Sequence, residues 1–412
     1  MKIVVVHQYY LTPGQPGGSR FNEFARLWSE AGHEVTVIAG NLNYTTGTVP
    51  EKYQGHWVTE EKDGDVTVMR CHVPTTYRHS FTGRMWAFLG FTFSALTAAI
   101  KMKDPDIVIA TSPPLITAIP GWAVAKLRTR GIPWIFEIRD LWPESAITTG
   151  VLRRDSLLTK LLYSLEKWAC RSATKVNVLT PAFREDIVKR ELIASEKIVF
   201  VPNGADVELF QPGPRDNEVR REFGWGERFV AMYAGAHGKA NAVQQLLSAA
   251  EYLPDRPDLL IACVGDGPER EYLQSEARRK ALTNIVFCGP QPKDRMPAFV
   301  NACDAGMAVL QNNPTFRTVY PNKVFDYMAC ARPTLLAIDG VARKLVCEEA
   351  QAGIFAEPEN PTAIATAIKR LADSPVQSVE MGRRGREWVL ANATRESLAQ
   401  RYLEIMEALV KR

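Results

Sequence analysis

The sequence predicts an α/β protein of two doubly wound, Rossmann-like domains in tandem, and three observations carry that expectation. Short β-rich runs alternate with helical stretches from end to end, the pattern of parallel strands joined by covering helices. The alternation breaks once, in ADVELFQPGPRDNE after Asn203-Gly204, where two prolines and a glycine interrupt it, and then restarts. The 412 residues suffice for two such cores at ~100–200 residues each.

The first domain, residues 1–203, holds KIVVV (2–6), EVTVIAG (34–40), VTVMRCHV (66–73), DIVIATS (106–112), WIFEI (134–138), KVNVLT (175–180) and KIVFVP (197–202). These runs are rich in β-branched and aromatic residues, and helical stretches separate most of them. The second domain, residues 204–393, repeats the scheme with FVAMYAG (229–235), LLIACVG (259–265), NIVFCG (284–289), AGMAVL (305–310), PTLLAI (333–338) and GIFAE (353–357). A last amphipathic helix over 394–412 places Leu398, Tyr402, Ile405 and Leu409 at helical spacing. Sheets of this kind bind ligands beyond the carboxyl ends of their strands, so a cleft between the two domains is where chemistry is expected.

Composition narrows the function. Hydrophobic residues make up 46% of the chain and charged residues 23%, which describes an ordinary folded protein rather than a disordered or collagenous one. Fifty Lys and Arg against 46 Asp and Glu leave a net +4, too small a surplus to indicate nucleic acid, so any anion site must come from local placement. The seven cysteines (Cys71, Cys170, Cys263, Cys288, Cys303, Cys330, Cys347) are odd in number, scattered and never spaced C-x-x-C. That argues against a disulfide framework or a structural zinc, and for a reducing, cytoplasmic setting. The opening MKIVVVH carries an apolar run too short for a signal peptide and reads as a buried first strand.

One segment resists this picture. Met85–Ile100 reads MWAFLGFTFSALTAAI without a charge, after Arg78 and Arg84 and before Lys101 and Lys103. A span needs about 20 apolar residues, so the run is short, and Thr92, Ser94 and Thr97 dilute it. A buried core helix, an interfacial helix between basic flanks and a true span all stay open on the sequence.

Four segments carry chemistry. Gly17-Gly18 precedes Ser19, the expected N-cap of a helix running to about Ala31. A glycine pair at a helix start lets phosphate approach backbone N–H groups, although the same pair also serves as a plain turn. The strand-to-helix loop is too long and its glycines wrongly spaced for G-x-G-x-x-G, which disfavours a nicotinamide enzyme. In YAGAHGKANAVQQLLSAA (233–250) a strand ends at Gly235, a loop carries His237 and Lys239, and a helix is expected from near Asn241. Lys239 fits both a diphosphate ligand and a solvated surface lysine. The densest signal is RTVYPNKVFDYMACARPTLLAIDG (317–340): Pro321 suits the first turn of a helix, Asn322 and Lys323 then stand at its positive end, and Asp326 lies one turn on. Lysine, carboxylate and helix terminus together suit a nucleoside diphosphate, while a Lys-to-Asp pair three apart also reads as a surface ion pair.

PNKVFDYMACARPTLLA resembles the P-S-K-x-[FY]-E-Y-[ML]-A-x-G-[RK]-P segment of the retaining GT-B glycosyltransferases of family 4, and the resemblance spans essentially the whole chain. Gly17-Gly18 matches the glycine pair that meets the donor diphosphate, YAGAHGKAN the loop with basic diphosphate ligands, VPNGAD (201–206) the signature after the interdomain crossing, and VGDGPER (264–270), with Gly265, Asp266 and Gly267, the turn near the nucleotide. FEIRDLWPESAITTGVL (136–152) resembles a branch that adds sugars such as N-acetyl-L-fucosamine to lipid-linked precursors of bacterial surface polysaccharides. The resemblance implies the GT-B fold with its closing helix crossing back to the first domain. Two positions depart from the family. Its usual pair of glutamates, separated by seven residues, is represented by Asp326 alone, with Thr318 standing eight residues before it. The histidine many members hold near the anomeric carbon is replaced, on WIFEIRD, by Arg139-Asp140, so Asp140 or Glu144 is expected to do the acceptor-side work.

The implied reaction is transfer, with retention, from a nucleotide-sugar, by expectation a UDP-sugar, to a polyprenyl-diphosphate-linked saccharide. The enzyme is expected to be cytoplasmic and peripheral to the inner face of the membrane, with no nucleic-acid partner. Breaking the sugar–phosphate bond leaves a diphosphate gaining negative charge, which preorganised positive charge must stabilise. Lys323, Lys239 and the two helix starts are the expected ligands, with His237 and Arg317 as helpers. No cofactor or metal is expected: the six histidines show no H-x-H or H-E-x-x-H spacing, and the Asp63-Gly64-Asp65 triplet falls in an expected hairpin turn. The competing readings are a sugar-nucleotide 2-epimerase of the same architecture and an inactive partner in a polysaccharide assembly complex.

Overall fold

The computed structural model describes residues 1–12, 15, 19–44, 46–78, 81–127 and 131–411, without the side chains of residues 77, 78 and 81. Two compact units emerge: one from the chain up to Pro202 joined by Glu396–Arg412, the other from Asn203–Arg395.

The first unit is built on eight strands: β1 (Lys2–Val6), β2 (Glu34–Gly40), β3 (Val58–Asp63), β4 (Val66–Cys71), β5 (Ile107–Ser112), β6 (Trp134–Ile138), β7 (Lys175–Val178) and β8 (Ile198–Phe200). They lie in the order β3-β4-β2-β1-β5-β6-β7-β8, all parallel except β3. The central β5 and β6 are buried at every residue, as strands covered on both faces must be, and so they read as unbroken apolar runs. The sequence reading omits β3. Its VTEEKD lacks an apolar face, because it is a half-exposed edge strand reached from β4 by a tight turn at Gly64, where φ is +60°.

Helix placement follows from handedness. The step from β1 to β2 runs one way along the sheet, and those from β4 to β5, β5 to β6 and β6 to β7 run the other way. Right-handed crossovers therefore put α1 (Arg20–Glu30) on one face, and α2 (Phe81–Ile100), α3 (Ala118–Leu127) and α5 (Leu157–Ser172) together on the opposite face. The closing helix, Arg395–Val410, joins α1: Leu398, Tyr402 and Met406 share a core with Phe24 and Trp28, and Trp28 Nε1 donates to the Ala399 carbonyl at 2.9 Å.

The second unit carries β9 (Phe229–Ala234), β10 (Leu259–Val264), β11 (Ile285–Gly289), β12 (Ala305–Val309), β13 (Thr334–Ala337) and β14 (Gly353–Phe355), in the order β11-β10-β9-β12-β13-β14 and parallel throughout. Its strand order reverses at β9, the switch point where open α/β sheets bind ligands.

Candidate active site

In the second unit the site is organised by two tyrosines and two glycines. Tyr327 is buried in the Asn322–Ala329 helix, and its hydroxyl accepts from the Ala234 N–H at 3.0 Å and lies 3.2 Å from the Met307 carbonyl, which pins the helix to β9 and β12. Gly306 makes room: a Cβ there would stand 2.2 Å from the Tyr327 ring. Lys323 lies four residues before Tyr327, on the same helix face, so the anchor carries the lysine to the carboxyl end of β9. There its Nζ sits 3.7 Å from the centroid of the Tyr233 ring. A Cβ on Gly235 would come within 2.8 Å of that Nζ, so the missing side chain is what admits the ammonium.

Lys323 meets the aromatic face but no carboxylate among the described residues, and burial pushes its pKa down to about 7. A partly exposed lysine whose ammonium lies over an aromatic ring beside a helix start, with no carboxylate to satisfy it among the described residues, is a site prepared for an anion. The loops after β9 and β10 close around it. Gly235 N–H donates to the Val264 carbonyl, His237 N–H to Asp266 and Glu269 N–H back to His237, at 2.8–2.9 Å. Gly265 has φ +133°, and a Cβ there would lie 2.0 Å from the Gly235 oxygen. Only glycine lets the two loops come this close.

In the first unit the carboxyl ends of β1, β5 and β6 bring together His7, Thr111 and Arg139. His7 is buried, its Nδ1 lies 2.7 Å from Thr111 Oγ1, and Arg139 Nη1 donates to its Nε2 at 3.3 Å. Burial, reinforced by Arg139, holds the His7 pKa well below its usual value, so the ring is neutral. With Nε2 accepting from the guanidinium, Nδ1 carries the proton and donates to Thr111. Beside this cluster Asp140 accepts from Ser145 Oγ at 2.7 Å, and burial raises its pKa. Behind it a buried charge network fixes the start of α1: Arg20 Nε donates to Glu137 at 3.2 Å and Nη2 to the Val201 carbonyl at 2.8 Å, while Asn177 donates to Glu137 at 2.8 Å.

Two family profiles match: the glycosyl transferase 4-like domain over residues 17–204 and the glycosyl transferases group 1 over 228–374. The chain is 23% identical over 380 residues to WcaI of Escherichia coli K12, provisionally described as a colanic acid biosynthesis glycosyl transferase, covering 90% of this chain and 92% of that one. It is 24% identical to the 2-deoxystreptamine glucosyltransferase of Streptomyces kanamyceticus, covering 79% and 83%. The crystal structure of Anabaena HepE in complex with UDP superposes with a TM-score of 0.72 over 99% of this chain and 100% of that one, at 17% identity. The chain belongs to the GT4-like, group 1 glycosyltransferases. Its two units are the paired Rossmann-like domains of the GT-B fold.

Several expected site residues of this glycosyltransferase stand where the sequence reading puts them, and others need correction. Asn322 and Lys323 open the helix, with Pro321 just outside it at the N-cap; Asp326 is half-buried on the next turn. Lys239 is exposed and starts a single 3₁₀ turn, Lys239–Asn241; the helix expected from Asn241 begins only at Gln244, because Ala242 is left-handed at φ +45°. His237 is not a cationic helper. Its ring is fully buried between Tyr233 and Phe287, and burial with the nearby Arg270 lowers its pKa to about 4, so it contributes backbone bonds rather than charge. Arg317 is half-exposed and engaged with Asn312 at 3.1 Å and Asp339 at 4.0 Å. Asp266 pairs with Arg270 at 3.6 Å.

Glu144 is engaged as a tether. On the short helix α4 (Glu144–Thr148) it takes hydrogen bonds from Arg154 and from the Tyr163 hydroxyl, which hold its pKa down against the opposing effect of burial. Gly17 and Gly18 lie outside the described residues. Asp63 and Asp65 flank the expected hairpin turn, where Asp63 accepts from Tyr10. A second Asp-x-Asp triplet, at Asp104 and Asp106, spends Asp106 on the Lys2 N–H. Among the described residues no three His, Cys, Asp or Glu side chains form a metal-holding group. His7, Tyr233 and Tyr327 are the residues the sequence reading missed. His7 had a signal: it follows directly on the first strand, at the end where such sheets bind ligands.

Proposed function

We propose that the enzyme transfers a sugar with retention from a UDP-sugar to a polyprenyl-diphosphate-linked saccharide in bacterial surface-polysaccharide synthesis, without a metal, at the inner face of the membrane. The observation that carries the donor half is Lys323, an ammonium over Tyr233 at the switch-point strand with no carboxylate partner among the described residues. It supplies the positive charge that the departing diphosphate requires, and the Asn322–Ala329 helix start adds its dipole. Lys239 is mobile enough, as an exposed side chain, to join it. The UDP bound in HepE favours that nucleotide, and the resemblance of residues 136–152 to the N-acetyl-L-fucosamine-adding branch favours the lipid-linked acceptor.

In the same-face route proposed for retaining members, the leaving phosphate oxygen helps deprotonate the acceptor hydroxyl, and no protein nucleophile is needed. On the acceptor side Asp140, with its raised pKa, orients that hydroxyl, while the His7-braced Arg139 meets acceptor phosphate. The test is a screen of UDP-, GDP- and dTDP-sugars against a lipid-diphosphate saccharide, with the product anomer read by NMR. A UDP-sugar giving a retained linkage is expected. An inverted product, or UDP-N-acetylglucosamine converted with no acceptor present, would overturn the reading.

A further inference from the structure

Large apolar side chains are exposed on the helix layer formed by α2, α3 and α5, in a pattern that is not scattered. On α2, Trp86, Leu89, Phe93 and Ile100 are 59%, 39%, 58% and 61% exposed. At 100° per residue they fall within about 60° of one another, while the buried Ala87, Phe88, Phe91, Ala95 and Ala98 occupy the opposite side, against the sheet. The helix thus spends one apolar face on the core and keeps a second one facing away from it. On α5, Leu157 and Leu161 are 74% and 59% exposed, one turn apart, and they too point away from the core. The two helices belong to one layer: α3 packs against both, and Trp122 of α3 meets Trp168 of α5 edge to face at 5.7 Å.

The exposed charges carried by α2, α3 and α5 themselves have one sign among the described residues. The α2 sequence contains no acid at all, and Lys101 is exposed directly after it. On α5 the exposed charges are Lys160, Lys167 and Arg171, on the same side as Leu157 and Leu161. The single acid of that helix, Glu166, is buried and paired with Arg190 at 2.6 Å. Exposed indole, phenyl and leucyl groups beside basic residues, with Glu144 at the edge of α5 already paired to Arg154 and Asp155 lying just before the helix, match an interface of acyl chains under anionic head groups. No helix among the described residues is long and apolar enough to cross a membrane, so the layer can only lie on one.

We propose that the α2–α5 layer is a docking face for an anionic phospholipid bilayer, with the α2 stripe entering the head-group boundary and the α5 lysines meeting lipid phosphates. The proposal deepens the lipid-linked acceptor reading and rests on it for its purpose. The experiment is flotation of the full chain with vesicles of roughly one-third phosphatidylglycerol in phosphatidylcholine, against pure phosphatidylcholine, at low and high salt. The wild-type protein is expected to float with the anionic vesicles at low salt. Trp86→Glu with Phe93→Glu should lower the floated fraction about tenfold, and Lys160→Glu with Lys167→Glu should remove its salt-sensitive part. These positions are exposed, so the variants should keep the wild-type melting temperature.

Wild-type protein that stays at the bottom, or a Trp86→Glu/Phe93→Glu variant that floats as well as wild type, overturns the proposal. So does light scattering that shows a dimer dissociated by these substitutions without flotation, which would assign the face to a second copy of the chain. Flotation that persists while no lipid-diphosphate saccharide accepts sugar would instead sink the acceptor reading and leave the docking face standing.

Discussion

At the carboxyl end of β9 a lysine ammonium rests on a tyrosine ring with no carboxylate beside it among the described residues; at the carboxyl end of β1 a histidine ring is held on both nitrogens, by Thr111 and by Arg139. The second unit reaches its arrangement by subtraction. Gly235 and Gly265 remove side chains so that backbone, helix start and Lys323 come close together. The first unit reaches its own by addition, filling the strand ends with hydrogen-bonded polar side chains that fix one another. A charged, departing phosphate asks for the first kind of site, where the cation is kept waiting. A neutral hydroxyl that must be aimed asks for the second kind.

The largest expected effect lies on the subtractive side. Lys323→Ala should lower kcat at saturating donor by about 10²–10³-fold, the usual cost of removing one preorganised charge donor. Gly235→Ala should do part of the same damage, since its Cβ would displace the ammonium without deleting it. Near-normal turnover of Lys323→Ala would erase the contrast between the two strand ends. On the additive side Asp140→Asn should cost about 10²-fold in kcat, the low end for a positioned acid or base, with donor affinity unchanged in calorimetry. Loss of donor affinity instead would move Asp140 to the wrong side of the comparison.

His7→Ala should raise the acceptor KM about tenfold, since a hydrogen bond to a charged group contributes ~1.5 kcal/mol, and leave the donor KM alone. A donor KM that rises as much would show His7 to be a general structural support. The lysine also makes the donor side pH-sensitive. With its free pKa near 7, Lys323 is half neutral there, and a bound diphosphate restores its charge, so binding takes up a proton. UDP-sugar affinity should fall about fivefold from pH 7 to pH 8, as the protonated fraction does. Calorimetry in two buffers of different ionisation enthalpy checks both the sign and the uptake; binding that releases a proton would contradict it.

How much of this could be read from the chain differs by range. The strands, the break after Gly204 and the closing helix announce themselves through local periodicity, because each buries a face whose spacing is set within a few residues. β3 did not, since an edge strand needs no apolar face. Lys323 was visible through the residues around it at a helix start. The reason it sits where it does was not: Tyr327 reaches strands 93 and 20 residues away in sequence, and Gly306 matters only because that ring lies over it. The Arg20–Glu137 pair, 117 residues apart, is equally invisible. His237 shows the opposite failure. A histidine in a glycine-flanked loop reads as an available cation, and only its burial reveals a neutral ring.

The smallest expected effect separates two carboxylates that the sequence could not rank. Asp140 and Glu144 are four residues apart, Asp140 just before α4 and Glu144 at its start, and either could have served the acceptor. Glu144 already accepts from Arg154 and Tyr163, which holds its carboxylate in the ionised form, and burial together with that contact raises the Tyr163 hydroxyl to about 12. A carboxylate held by an arginine and a phenol, with its pKa lowered, is a weak base for a substrate proton. Asp140 has Ser145 as its side-chain partner and a pKa displaced the other way, toward the value a proton acceptor needs. Glu144→Gln should therefore change kcat less than about threefold and cost less than about 1 kcal/mol of stability, the range for a half-exposed ion pair. Parallel kinetics and thermal unfolding of the two variants decide it: if Glu144→Gln falls as far as Asp140→Asn, the ion pair opens during turnover and Glu144 belongs to the acceptor side after all.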